Sequence, residues 1–174
     1  MDSRFTNEDT CSAPLEQTEQ ELGELLQIRR SKLLALQQAG KDPFENVIYK
    51  KTHHSSEILE NFEALEEKQV RIAGRIMLKR IMGKASFAHL LDEKGTIQAY
   101  IRLNEIGEEA YADFKSFDIG DILGLEGTVF KTRTGEISIR VQNMTLLSKS
   151  LRPLPEKFHG LKDPELRYRQ RYVD

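Results

Sequence analysis

The sequence has no tryptophan, one cysteine (Cys11) and only five prolines among its 174 residues. A single cysteine cannot form an internal disulfide, which argues against a small secreted scaffold held together by disulfides. No segment approaches the roughly 20 consecutive apolar residues that a membrane-spanning helix needs, and the N-terminus lacks the apolar core of a signal peptide. We therefore predict a cytoplasmic protein without a membrane partner, large enough to bury its own hydrophobic core.

The sequence also lacks the motifs of unaided catalysis. It contains no phosphate-binding glycine loop, no dinucleotide-binding glycine pattern, no HExxH motif and no paired cysteines. Adjacent His53 and His54 would form a metal site only with further ligands, and a solvated loop explains them better. Cys11 has no nearby histidine that could activate it as a nucleophile. We predict no catalytic residue, cofactor site or metal site in this chain.

Acidic and basic residues are distributed unevenly, although the net charge is only −2. Residues 1–67 hold 14 acidic and 7 basic side chains, whereas residues 68–174 hold 14 acidic and 19 basic ones. Between residues 68 and 91, six bases occur without an acid: Lys68, Arg71, Arg75, Lys79, Arg80 and Lys84. Such a stripe is typical of a surface that faces phosphate groups. On charge alone, an ordinary solvated strand face explains it equally well.

The first 67 residues are predicted to be a disordered tail (1–14) followed by a helical segment (15–67). Leucines at three- and four-residue steps indicate an amphipathic helix over residues 16–38, which Gly40 ends. Its apolar stripe should pack on the body of this chain, and a partner is the alternative. Ser55 and Ser56, followed by Glu57, predict the start of a shorter helix that extends to about Glu67.

From Lys68 onward the hydrophobic pattern changes to the alternation of β-strands. It predicts strands over residues 70–78, 85–91, 97–103, 122–131 and 136–147, with one helix over residues 105–117. In the first strand, Val70, Ile72, Gly74, Ile76 and Leu78 form the predicted buried face. Five strands with a helix between the third and fourth favour a mainly β fold with flanking helices. We predict a five-stranded Greek-key barrel of the OB type over residues 68–149.

The first three strands combine cations, a flat ring and an amide, which are the groups that bind single-stranded nucleic acid on OB barrels. Lys79, Arg80 and Lys84 could follow the backbone of the nucleic acid. Alternation places Phe87 and His89 on one strand face, where Phe87 is either a core residue or a platform for a base. The carboxamide of Gln98 could read the carbonyl and N3–H edge of uracil, or be an exposed surface group.

The hairpin before the fifth strand offers a further candidate. Glu136 could accept a hydrogen bond from a base, or could balance the charges of Lys131 and Arg133.

The last 25 residues do not resemble the end of a domain. Residues 150–174 are predicted to be a linker and the start of a further domain, because the Pro153–Pro155 spacing favours an extended connector. Asp163, Pro164 and Glu165 form a strong helix start. The helix that they begin has no termination signal before Asp174, so we interpret the chain as part of a longer protein.

Several blocks of sequence closely resemble the N-terminal part of bacterial class II lysyl-tRNA synthetases. They are GRIMLKRIMGKASF (74–87), GDILG (120–124), FKTRTGE (130–136), LRPLPEKFHG (151–160) and RYRQRY (167–172). The blocks occur in the expected order and spacing, and the resemblance extends from about Leu22 to Asp174. It implies an OB-fold anticodon-binding domain that precedes a class II catalytic domain, which this chain lacks.

The resemblance also implies roles for individual residues. Phe87 would stack on the central anticodon uridine, and Arg80, Gln98 and Glu136 would contact anticodon bases. His89 departs from the small or apolar residue of some relatives, so its role is less defined. The predicted nucleic-acid-binding set, from composition and resemblance together, is Lys79, Arg80, Lys84, Phe87, His89, Gln98, Lys131, Arg133 and Glu136.

For the full-length protein, the resemblance implies a homodimeric lysine–tRNA ligase. It would attach lysine to lysine-specific tRNA and would use ATP and magnesium. Lysine, ATP and magnesium would all bind in the missing domain. The fragment itself is expected to bind the tRNA anticodon loop, to be inactive alone and to be monomeric or weakly associating. The alternative function is a sequence-independent module for single-stranded nucleic acid.

Overall fold

The computed structural model describes residues 15–45 and 48–152. The predicted tail at residues 1–14 and the predicted helix after Asp163 lie outside these residues. The helices are α1 (Leu15–Gln38), α2 (Ser55–Glu60), α3 (Phe62–Leu65), α4 (Leu103–Ile106) and α5 (Glu108–Ser116), with a 3-10 turn at Pro43–Glu45. The strands are β1 (Gln69–Met82), β2 (Ala85–Leu91), β3 (Thr96–Arg102), β4 (Ile122–Lys131) and β5 (Ile137–Ser148).

The five strands form a closed barrel in the order β1-β2-β3-β5-β4. β1 pairs antiparallel with both β2 and β4, whereas β3 and β5 run parallel and close the barrel. The short helices α4 and α5 lie between β3 and β4 in the chain. This arrangement confirms the predicted five-stranded OB barrel with helical structure between its third and fourth strands.

Alternate strand residues fill the interior, as the half-buried pattern requires. Ile72, Leu90, Ile101 and Val141 are all at most 1% exposed and belong to one hydrophobic core. Tyr111 and Phe114 of α5 are also buried in this core, and the Tyr111 hydroxyl lies 2.7 Å from the Oγ of buried Ser86. The helix therefore packs against the barrel interior and leaves the outer face of β2 and β3 uncovered.

A β-bulge in β1 changes which face of that strand is buried. The pairing of β1 with β2 shifts register between Ile76 and Leu78, so the alternation reverses at this point. After the shift, Lys79 lies opposite buried Ala88, whereas Leu78 is 43% exposed. The prediction that Leu78 continues the buried face is therefore wrong, because a strict two-residue period does not allow for an inserted residue.

Two predicted helices are each divided in the structure. Gly107, at a φ of +86°, separates α4 from α5, so the single helix predicted over residues 105–117 is wrong. A positive φ is readily adopted by glycine and interrupts helical geometry. Asn61 divides the helix predicted after Ser55 into α2 and α3. The start of α2 is tied to the barrel because Ser55 Oγ donates to Asp92 Oδ1 over 2.7 Å.

Helix α1 contacts the barrel mainly through cations. Arg29 is 9% exposed and donates to the backbone carbonyls of Ile119, Ser150 and Arg152 at 2.9–3.2 Å. Lys32 pairs with Asp118 over 2.6 Å. Among its apolar side chains that the structure describes, Leu36 packs against the core, whereas Leu25, Ile28 and Leu34 are exposed. The apolar stripe was expected to pack on the body of the chain. Leu36 does so, but the three exposed side chains do not.

No helix within the described ranges has the length and apolar character needed to cross a membrane.

Candidate nucleic-acid interface

An open cavity of about 800 Å³ lies on the outer face of β1, β2 and β3, beside the β4–β5 hairpin. Its lining brings together six residues that the sequence analysis predicted for nucleic-acid binding: Arg80, Phe87, His89, Gln98, Arg133 and Glu136. The other lining residues are Leu78, Met82, Tyr100, Phe130, Thr132 and Thr134. These side chains come from β1, β2, β3 and β4 and from the hairpin between β4 and β5, so the closed barrel is what assembles them.

Phe87 lies on the cavity side of β2 and is not part of the core. Its neighbours Ser86 and Ala88 point into the barrel and are at most 1% exposed, while Phe87 itself is only half-buried. The ring stacks on Tyr100, which pairs with it across β2 and β3, with ring centroids 4.9 Å apart and planes at 29°. Tyr100 thus covers one face of the Phe87 ring, and the cavity beside the ring remains open.

Two further aromatic residues extend this platform, and the sequence analysis did not single them out. Tyr100 lies 5.8 Å from Phe130 between centroids, and the guanidinium carbon of Arg140 lies 4.8 Å from the Phe130 centroid. Strand alternation carried part of the signal, because Tyr100 is two residues from Gln98 and shares its face. The contribution of Phe130 depends on how the barrel closes, which strand periodicity does not reveal.

Polar groups next to the aromatic rings form a connected cluster around Gln98. The amide Nε2 of Gln98 donates to Glu136 Oε2 over 2.8 Å and lies 3.4 Å from His89 Nε2. The amide Oε1 accepts from Ser138 Oγ over 2.8 Å. Ser138 is fully buried and was not identified from the sequence. The parallel pairing of β3 and β5 places it opposite Gln98.

The charges of the lining residues favour binding of a polyanion. Arg80 and Arg133 are exposed cations at the cavity, and among the lining residues in the described part of the chain Glu136 is the one acid. Cations that follow phosphates, rings that stack on bases and amides that read base edges are the parts of a single-strand binding surface. The arrangement therefore suits a short single-stranded nucleic acid.

The remaining three predicted residues do not line the cavity. Lys84 lies at the exposed turn between β1 and β2, and the Nζ of exposed Lys131 lies 6.0 Å from the Phe62 ring centroid. The ammonium of Lys79 donates to the backbone carbonyls of Phe114, Lys115 and Phe117 at the end of α5. Burial lowers the pKa of Lys79. Its contact with nucleic acid stays a prediction, and its placement argues against it.

The described residues 15–45 and 48–152 contain no group of three or more histidine, cysteine or acidic side chains placed to hold a metal ion.

Comparison with known proteins shows what this barrel is similar to. Residues 70–147 match the model of the OB-fold nucleic acid binding domain. The chain is 58% identical over 156 residues to a lysine–tRNA ligase of Clostridium tetani, a match that covers 90% of this chain and 31% of the relative. It is 50% identical over 174 residues to the lysine–tRNA ligase of Clostridium novyi, covering 99% of this chain and 34% of that protein. The chain thus spans about one third of the length of these relatives.

Proposed function

Because this chain carries an OB-fold nucleic-acid-binding domain homologous to the N-terminal part of lysine–tRNA ligases, we propose that its cavity binds the anticodon loop of a lysine-specific tRNA. The observation that carries this proposal is the half-exposed ring of Phe87, which stacks on Tyr100 and lines the same cavity as the amide of Gln98. A splayed-out uridine would stack on the ring while the amide pairs with its edge.

The other lining residues supply complementary interactions. Arg80 lies opposite Phe87 in the pairing of β1 with β2, so it can reach the same nucleotide. Arg133 and exposed Lys131 near the β4–β5 hairpin, and exposed Lys84 in the β1–β2 turn, can neutralise phosphates of the loop. Stacking supplies about 1–3 kcal/mol per base without sequence preference, so preference for uridine must come from the polar cluster around Gln98.

The activity of the longer protein is part of the same proposal. We infer that residues 68–149 are the anticodon-binding unit of a cytoplasmic, homodimeric ligase that attaches lysine to tRNA. Residues outside this chain would bind lysine, ATP and magnesium. The support is the high identity to proteins three times as long that are named lysine–tRNA ligases.

Replacement of the ring tests the binding site directly. Phe87→Ala should weaken binding of an RNA hairpin with a UUU loop by about 1–3 kcal/mol, because one stacked base is lost. Titrations of the 174-residue chain with this hairpin and with a scrambled loop measure the effect. Phe44→Ala is the matched control, since Phe44 is 49% exposed in the Pro43–Glu45 turn, away from the cavity.

Two outcomes would contradict the proposal. If the wild-type chain binds both hairpins equally, and Gln98→Ala changes neither affinity, the chain is a sequence-independent single-strand binder. If Phe87→Ala has no more effect than Phe44→Ala, the cavity is not the binding site. Salt separates the two contributions: with about three phosphates contacted, affinity for both hairpins should fall about 15- to 20-fold between 50 and 200 mM salt.

A further inference from the structure

Two side chains hold the carboxamide of Gln98, one at its oxygen and one at its nitrogen: Ser138 in β5, and Glu136 directly before β5. Ser138 Oγ donates to Oε1, and Nε2 donates to Glu136 Oε2, each over 2.8 Å. Ser138 is fully buried, so its hydroxyl serves Gln98 and does not reach the open cavity. The side chain of Glu136 is 48% exposed and lies at the rim.

Only one orientation of this amide satisfies Glu136. A carboxylate accepts hydrogen bonds but cannot donate them. A rotation of the amide by 180° would place Oε1 of Gln98 against Oε2 of Glu136, so that two acceptors would face each other. Ser138 tolerates either orientation because a hydroxyl both donates and accepts. Glu136 therefore sets the orientation, and Ser138 holds the amide in place.

The orientation matters because uracil and cytosine present opposite patterns at the edge that pairs. Uracil offers a carbonyl acceptor beside the N3–H donor, whereas cytosine offers an amino donor beside the N3 acceptor. For a base held in one position by stacking, an amide that is free to rotate pairs with either pattern, but an amide fixed in one orientation matches only one of them. The second hydrogen of Gln98 Nε2 faces His89 over 3.4 Å, a long contact that a base carbonyl can replace.

We propose that Glu136 is a positioning residue that fixes the carboxamide of Gln98 and thereby lets the cavity distinguish uracil from cytosine. The inference rests on the proposed function and assigns the glutamate a role through Gln98, instead of the direct base contact that the resemblance implies. A glutamine in place of Glu136 could pair with the Gln98 amide in either orientation, because its own amide both donates and accepts.

A double-mutant cycle tests the inference in the full 174-residue chain. The variants Glu136→Gln, Gln98→Ala and their combination are titrated with the UUU hairpin and with hairpins in which each loop uridine in turn is cytidine. Glu136→Gln should lower the uridine-to-cytidine affinity ratio about tenfold, the equivalent of one charge-assisted hydrogen bond. The ratio is the measurement, since loss of a negative charge strengthens binding of every RNA alike. In the Gln98→Ala background the same substitution should leave the ratio unchanged.

Glu126→Gln is the matched control, because Glu126 also accepts from a glutamine amide, Gln69 Nε2 at 3.2 Å, away from the cavity. It should leave the ratio unchanged. The inference is overturned if Glu136→Gln keeps the wild-type ratio. It is equally overturned if Glu136→Gln lowers the ratio as much without Gln98 as with it, because the glutamate then acts on the base itself. A wild-type chain without preference for uridine would instead contradict the proposed function.

Discussion

At the scale of single residues, the site depends on side chains that support others. The stacking contact with Tyr100, with ring centroids 4.9 Å apart, restricts the orientation of the Phe87 ring. Stacked aromatic pairs contribute about 0.5–1.5 kcal/mol beyond the area that they bury. The same relation holds for Gln98, whose amide is positioned by buried Ser138. Side chains that support Phe87 and Gln98 should therefore influence RNA affinity.

Tyr100→Leu should weaken binding of the UUU hairpin by about 0.5–1.5 kcal/mol, less than Phe87→Ala, because the platform loses its support but remains present. Hairpin titration measures the change. Tyr100→Phe keeps the ring and should bind as the wild type does. Equal binding by the leucine and phenylalanine variants would show that the stacked pair does not contribute.

Composition and family resemblance together predicted six of the residues that meet at the cavity, and strand alternation supports three of them. A two-residue period assigns Phe87 and His89 to one face, and Gln98 to the face of Tyr100, without knowledge of the fold. It cannot decide which face is buried, so Phe87 remained either a core residue or a platform until its neighbours were located. Ser138 was beyond reach, because its partner is 40 residues away across a parallel strand pair.

At the scale of elements, the bulge in β1 separates two roles that a regular strand would mix. It turns Lys79 toward the end of α5 and Leu78 and Arg80 toward the cavity. Strands β2 and β4 were predicted at their observed bounds, since turn residues flank each of them, although only β2 alternates regularly between buried and more exposed residues. The break at Gly107 was not predicted, because the apolar spacing of residues 106–117 continues across it.

Lys79→Met should destabilise the barrel by about 1 kcal/mol and leave RNA affinity unchanged, because the ammonium binds carbonyls at the end of α5. Urea unfolding and hairpin titration measure the two effects. Lys84→Met is the comparison: as an exposed turn residue, Lys84 should affect the salt dependence of binding but not stability. If Lys79→Met instead binds RNA more weakly and with less salt dependence, Lys79 contacts the RNA after all.

At the scale of the whole molecule, an ionic cluster joins α1, the turn before β4 and the segment after β5. Lys149, whose side chain is 1% exposed, pairs with Asp121 over 2.7 Å and also with Asp118, which in turn pairs with Lys32 of α1. Burial alone would raise the pKa of Asp118, but hydrogen bonds from Lys149 and Lys32 outweigh it and hold that pKa below 3.8. The contribution of Asp118 is therefore present above this value and is lost as the pH falls through its lower, folded-state pKa.

Asp118→Asn should lower the free energy of unfolding by about 2 kcal/mol at pH 7, since charge-assisted hydrogen bonds to two lysines are weakened. The difference from the wild type should shrink as the pH falls from 5 toward 2. Urea midpoints over that range measure it. The pKa of Asp92 is also lowered, because hydrogen bonds from Ser55 and from the backbone of Lys94 and Gly95 outweigh the effect of burial. Asp92 is the same in the wild type and the variant, so its contribution cancels from the comparison. A difference that is constant with pH would contradict the assignment.

The parallel pairing of β3 with β5 has a consequence for synthesis on the ribosome. β5 is the last strand to emerge, and it bonds to β3 on one side and β4 on the other. Until residues 137–148 leave the exit tunnel, both neighbours present unpaired edges, which are prone to associate with other chains. The nascent domain therefore acquires its closed shape and the buried hydroxyl that holds Gln98 in the same step, when β5 arrives.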